Sequence, residues 1–118
     1  MEKTLTIDGR QVAFKSSGAF LLRYKAQFNR DAFQDVLKLG KAFRKDRNGK
    51  PVLSNLNALD MAIFYNLAWT LAKTADKTIP PPMDWLDSFG TFPLSEIMPE
   101  IMDLLELSMG ATVQPKNG

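Results

Sequence analysis

The chain has 118 residues, 45% hydrophobic and 24% charged, with 7 glycines and 7 prolines, which suits one soluble globular domain with a single core and argues against global disorder. It contains no cysteine and no histidine, so thiol nucleophiles, disulfide frameworks, the usual transition-metal ligands and the proton shuttle of neutral pH are missing; the expectation is a protein that is not an enzyme and needs no metal or cofactor. The net charge is only +2, yet residues 1–50 hold 12 of the 15 Lys and Arg and 5 of the 13 Asp and Glu, a local +7, while residues 51–118 carry −5.

Such asymmetry points to a polyanionic partner for the first half, to complementary faces between copies associating head to tail, or to two solvated faces of one domain. The start "MEKTLTIDGR" lacks the apolar core of a signal peptide, and no stretch reaches the roughly 18 uninterrupted apolar residues of a membrane span. A cytoplasmic protein with no membrane partner is expected.

"TLTIDGRQVAF" alternates with period two around Asp8-Gly9, a pair suited to the positive φ angles of a type I′ turn. The resulting hairpin places Leu5, Ile7, Val12 and Phe14 on one face and Thr4, Thr6, Ala13 and Lys15 on the other, and the apolar face needs covering by later helices. The first helix, "GAFLLRYKAQFN", carries Phe20, Leu21, Tyr24 and Phe28 at helical spacing behind Ser16 or Ser17 as N-cap, and ends at Asn29 or Arg30. Asp31 then opens "AFQDVLKLGKAFRK", with Phe33, Val36, Leu37 and Phe43 as its apolar stripe. "KDRNGKPVLSN" reads as a polar connecting loop that turns at Asn48-Gly49.

Asn55 or Asn57 is expected to cap the most apolar segment, "ALDMAIFYNLAWTLAKTAD". There Leu59, Met61, Ala62, Ile63, Phe64, Leu67, Ala68, Trp69, Leu71 and Ala72 cover most of the circumference, so residues 57–75 predict a helix buried on several sides. The prolines at 80–82 interrupt the pattern, "MDWLDSF" forms a short amphipathic helix, and "LSEIMPEIMDLLELSMG" a final one with an early 3₁₀ turn or kink at Pro99. The fold class is thus α+β and predominantly α-helical: an N-terminal β-hairpin packed on about five helices, with one domain over 1–110 and a flexible C-terminal tail over 111–118.

No phosphate loop, dinucleotide fingerprint, zinc spacing or catalytic triad can be assembled. Glu96, Glu100, Asp103 and Glu106 recur at helical spacing as a solvated face. Lys38, Lys41, Arg44, Lys45, Arg47 and Lys50 resemble the footprint of a nucleic-acid binder, and two helices flanking Asn29–Asp31 could be drawn as a helix-turn-helix; but Phe33 and Phe43 fall on the buried stripe, away from the charges. A small basic-faced regulatory protein is therefore the alternative. The aromatic and methionine content of the C-terminal third offers adaptable apolar surface, with Trp85, Phe89, Met102, Leu105 and Met109 as candidate partner-binding residues, or else as a lid on the core.

The ordered succession "LTIDGRQVAFKSS…RYKAQFNRDAFQDVLKL", "FYNLAWTLAKTADKTIP", "WLDSF" and "EIMPEIMDLLELSM" resembles the tail assembly chaperones of long-tailed phages and prophages of low-GC Gram-positive bacteria. The likeness spans nearly the whole chain and rests on a hairpin, "FxRD", "NLAWxxAK…D" and "WLDxF" in that order. It implies an ATP-independent chaperone in the cytoplasm of the bacterial host that coats the aggregation-prone tape measure protein. Such a protein promotes tail tube polymerisation, with the major tail tube protein as a further partner, and is absent from the mature virion. Members are often made in two lengths by ribosomal frameshifting, with which Lys116-Asn117 is compatible as an A-rich codon pair. The resemblance transfers no catalytic residue.

Overall fold

The computed structural model describes residues 1–109, so the tail expected at 111–118 lies outside the described residues. The fold is α+β and mostly helical, and it begins with the hairpin of β1 (Glu2–Ile7) and β2 (Arg10–Lys15) in the register Leu5↔Val12 and Ile7↔Arg10. Asp8 and Gly9 take φ angles of 53° and 75°, as the two-residue turn demands. Ile7, Val12 and Phe14 are buried, Leu5 packs against them, and Thr4, Thr6 and Lys15 face solvent.

Two short helices follow, α1 (Phe20–Phe28) and α2 (Ala32–Gly40). Asn29 closes α1 in the left-handed conformation, donating its N–H to the Lys25 carbonyl. Asp31 opens α2, its carboxylate accepting from the Phe33 N–H. The expected serine cap of α1 does not form: Ala19 is the cap residue, and the Ser17 hydroxyl instead accepts from the Ala19 N–H. Leu21 and Phe33, placed on the buried stripes by spacing alone, are 44% and 45% exposed. Between the helices the Tyr24 hydroxyl donates to Asp35 at 2.7 Å, and Arg30 donates to both Asp35 oxygens at 2.7 and 2.8 Å.

The segment after α2 corrects the expectation of a plain loop. Phe43 does not extend a helix; it opens β3 (Phe43–Lys45), which pairs antiparallel with β4 (Pro51–Leu53). The connecting turn is organised by Asp46, whose carboxylate accepts from the Asn48 and Lys50 N–H groups, and Gly49 takes a φ of 79°. Strands of three residues are too short for alternation to stand out, and Arg44 and Lys45 suit a helix surface equally well.

A 3₁₀ turn (Leu56–Ala58), capped by Asn55, leads to α3 (Met61–Ala75), which is capped by Asp60 rather than by either asparagine. The central helix is buried on several sides as expected: Phe64, Leu67, Ala68 and Leu71 are wholly enclosed. Thr70 and Thr74, also buried, satisfy their hydroxyls on the carbonyls one turn back.

Pro82 starts the short α4 (Pro82–Asp87), where a missing N–H costs nothing. The Trp85 ring stands edge-on to Phe14, Phe89 and Phe92 at 6.3, 5.2 and 5.9 Å. The last helix, α5 (Leu94–Met109), is α-helical from its start and through Pro99, without the expected 3₁₀ turn. Its apolar face is wide because it packs on three elements at once, β1, α2 and β4.

Candidate partner-binding groove

The residues expected to form a contact surface are mostly interior. Trp85, Phe89, Met102 and Leu105 are 2%, 7%, 1% and 0% exposed, and Met109 is half-buried against the same core. The first four cannot present surface to a partner of the folded chain. Burying a Trp or Leu side chain stabilises by roughly 1.5–3 kcal/mol or more, so the fold draws on them for its own stability.

An open apolar cleft of about 530 Å³ lies elsewhere, between the second hairpin and the first half of α5. Phe43, Pro51, Val52 and Leu53 come from the hairpin, Leu56 from the 3₁₀ turn, and Leu59 and Met61 from the approach to α3. Leu94, Met98 and Pro99 form the α5 wall, and Ser95 is the one polar side chain among the described lining residues. Leu53 and Leu56 stand out as 42% and 71% exposed at its opening.

The walls are positioned by specific bonds. The Ala42 carbonyl accepts from both the Ser54 and Asn55 N–H groups, fixing where the chain leaves β4, and Asn55 then caps the 3₁₀ turn that displays Leu56. Lys45 reaches across to Glu106 at 2.6 Å and pins β3 to α5. Of these residues, Leu59, Met61 and Met98 were legible as parts of apolar helical faces. Leu53 and Leu56 were not, because a lone leucine in "VLSNLNA" has no periodic partner.

The charge asymmetry resolves partly within one chain. Lys3 bridges Glu100 at 2.7 Å and Asp103 at 3.5 Å, and Lys45 takes Glu106, so the acidic face of α5 is paired by lysines of both hairpins and is not purely solvated. Partial burial pushes Lys3 down, but the hydrogen bond and charge of Glu100, with Asp103, outweigh it and hold its pKa above the ordinary lysine value. The hydrogen bond from Lys3 in turn holds the Glu100 carboxyl below its ordinary value. Two looser pairs, both 3.9 Å, border the cleft: Lys50 with Glu100, next to the lining residues Pro51 and Pro99, and Lys38 with Asp60, between Leu59 and Met61. Of the six basic residues weighed for nucleic-acid contact, only Lys38 lies on α2; the rest follow that helix or belong to the second hairpin.

The motifs behind the family resemblance occupy scaffold positions. In "FNRD", Phe28 meets Trp69 edge-on at 5.7 Å, Asn29 ends α1, Arg30 clamps Asp35 and Asp31 starts α2. In "NLAWTLAKTAD", the Trp69 indole N–H donates to the Pro80 carbonyl, and Lys73 donates to the Lys77 and Ile79 carbonyls. Asp76 accepts from the Thr78 N–H and hydroxyl, and these bonds hold its carboxyl below the ordinary range. Among the described residues no group of three or more acidic side chains is placed to hold a metal ion, and no helix is long and apolar enough to cross a membrane. No family profile, no curated protein and no solved structure matches this chain.

Proposed function

We propose that the chain is an ATP-independent chaperone of phage tail assembly that receives apolar helical stretches of a tape measure protein in the cleft between the second hairpin and α5. The observation that carries the reading is the cleft: an open, almost wholly apolar surface with Leu53 and Leu56 exposed at its mouth, on a domain whose aromatic residues, Phe33 apart, pack into its own core. A holding chaperone requires that combination, because it must offer apolar surface without itself unfolding. The ordered motifs that resemble the tail chaperones support the client's identity, and their scaffold roles fit a family whose common residues maintain a shape. The first hairpin and α3 contribute rigidity.

The test is co-expression of a phage tape measure protein, alone, with wild type, and with Leu53→Asp/Leu56→Asp. Wild type is expected to keep the client soluble and to co-purify with it. The double variant should lose both effects, since a charge set into an apolar contact costs several kcal/mol and about 1.4 kcal/mol is already tenfold in affinity. A client left insoluble by wild type, or rescued equally by the variant, removes the proposal.

A further inference from the structure

Resting on that reading of the cleft, we infer that its occupant is an amphipathic helix whose apolar stripe is bordered by acidic residues. The first step is backbone chemistry. A strand or coil entering a lining whose only polar side chain among the described residues is Ser95 would bury peptide N–H and C=O groups without partners, and Pro51 removes a donor from β4. A helix satisfies its own backbone and lays only side chains into the groove. Leu56, 71% exposed at the opening, calls for an occupant that extends over the rim, which a small apolar ligand inside the cleft would not reach.

The second step is charge. At both borders the carboxylate is already committed and the lysine is not. Glu100 is held by Lys3 at 2.7 Å, and Asp60 accepts the Ile63 N–H as the cap of α3. Lys50 and Lys38, 62% and 59% exposed, have as ion pairs among the described residues only their 3.9 Å contacts with these carboxylates. Arg44 and Arg47 of the same hairpin, and Lys41 just before it, make no ion pair among the described residues. Glu96, exposed beside the lining Ser95, also makes no ion pair among the described residues, but these cations outnumber it, so carboxylates flanking the client's stripe fit the surface better than ammonium groups do.

Two labelled peptides of about 18 residues, long enough to form helix, decide the matter: both carry the same leucine stripe, one bordered by Glu and the other by Lys. Fluorescence anisotropy with the full chain at low salt is expected to show the Glu peptide binding roughly tenfold tighter, each loosely held lysine supplying a few-fold. The preference should vanish near 1 M salt, where screening is complete within about 3 Å. Lys38→Gln/Lys50→Gln should flatten the preference without changing the melting temperature, and Leu56→Asp should weaken both peptides. Equal binding, preference for the Lys peptide, binding of neither, or occupancy by an apolar dye that neither peptide displaces would each overturn the inference. A client kept soluble without any charge preference would sink this inference alone; the preference without client solubilisation would sink only the chaperone reading.

Discussion

The Tyr24–Asp35–Arg30 network allows a stability prediction with a defined size and pH signature. The Asp35 carboxylate is 4% exposed and accepts three hydrogen bonds, one from the wholly buried Tyr24 hydroxyl and two from Arg30. In Asp35→Asn the charge is lost and one acceptor oxygen becomes an NH₂ donor facing other donors. The bond from Tyr24 to a charged acceptor contributes about 1.5–3 kcal/mol, whereas the half-exposed Arg30 side chain returns to water. For a domain near this size 1 kcal/mol moves the melting temperature by about 4–8 °C, so a fall of roughly 6–24 °C is expected at neutral pH by circular dichroism. The hydrogen bonds from Arg30, with that of Tyr24, hold the Asp35 carboxyl below the usual range despite burial, while burial first and then the Asp35 bond push the Tyr24 hydroxyl well above the ordinary tyrosine value. A depressed carboxyl stabilises the fold fully above its unfolded pKa of about 3.9 and loses that contribution as pH falls through the folded value. The gap between wild type and Asp35→Asn should therefore be widest at neutral pH and shrink below about pH 4. Tyr24→Phe should add little once Asp35 is Asn, because the two share one interaction. A gap below about 2 °C at neutral pH, or one that persists unchanged in strong acid, would refute the reasoning.

Leu105→Asp, at a position with no exposure, should abolish folding in a circular dichroism melt, whereas Leu56→Asp should shift stability by no more than about 0.5 kcal/mol. Trp85→Ala should cost about 3–5 kcal/mol by opening the cluster with Phe14, Phe89 and Phe92, measured as a lower urea midpoint. Trp69→Phe removes the indole bond to Pro80 and should cost about 1 kcal/mol, with faster amide exchange concentrated around Lys77 and Ile79. Lys3→Met, in a pair about one-third exposed, should cost less than about 1 kcal/mol by thermal melt, and the cost should shrink further in high salt.

Legibility followed the physics of each element. The first hairpin was readable to its register because Asp8-Gly9 admits one turn geometry and six-residue strands reveal alternation. The α3 helix was readable because apolar residues surround it, so no choice of face was needed. The second hairpin was hidden: its strands are three residues long, and its side chains suit a helix as well. The aromatic segment stayed open between contact surface and core lid for a different reason. Periodicity shows that Trp85, Phe89 and Phe92 share an environment, but whether neighbours or solvent cover them depends on Phe14 and Tyr65, distant in sequence. The cleft mouth was least legible, since Leu53 and Leu56 belong to no repeat and owe their position to the Ala42 carbonyl and the Asn55 cap.

The turn of the first hairpin has a consequence for the order in which the chain can mature during synthesis. The Asp8 carboxylate accepts the Gly90 N–H, close enough that a Cβ on Gly90 would meet it at 3.3 Å, and Arg10 donates to Ser88 while its guanidinium covers the Phe89 ring at 4.2 Å. Lys3 finds Glu100, 97 residues downstream. The first hairpin is thus fastened by segments made 78 to 97 residues after it, and closing loops of that length is slow relative to local helix formation. A nascent chain stopped before Trp85 would carry its hairpin with Phe14 deprived of that ring, and would be expected to need shielding of its own.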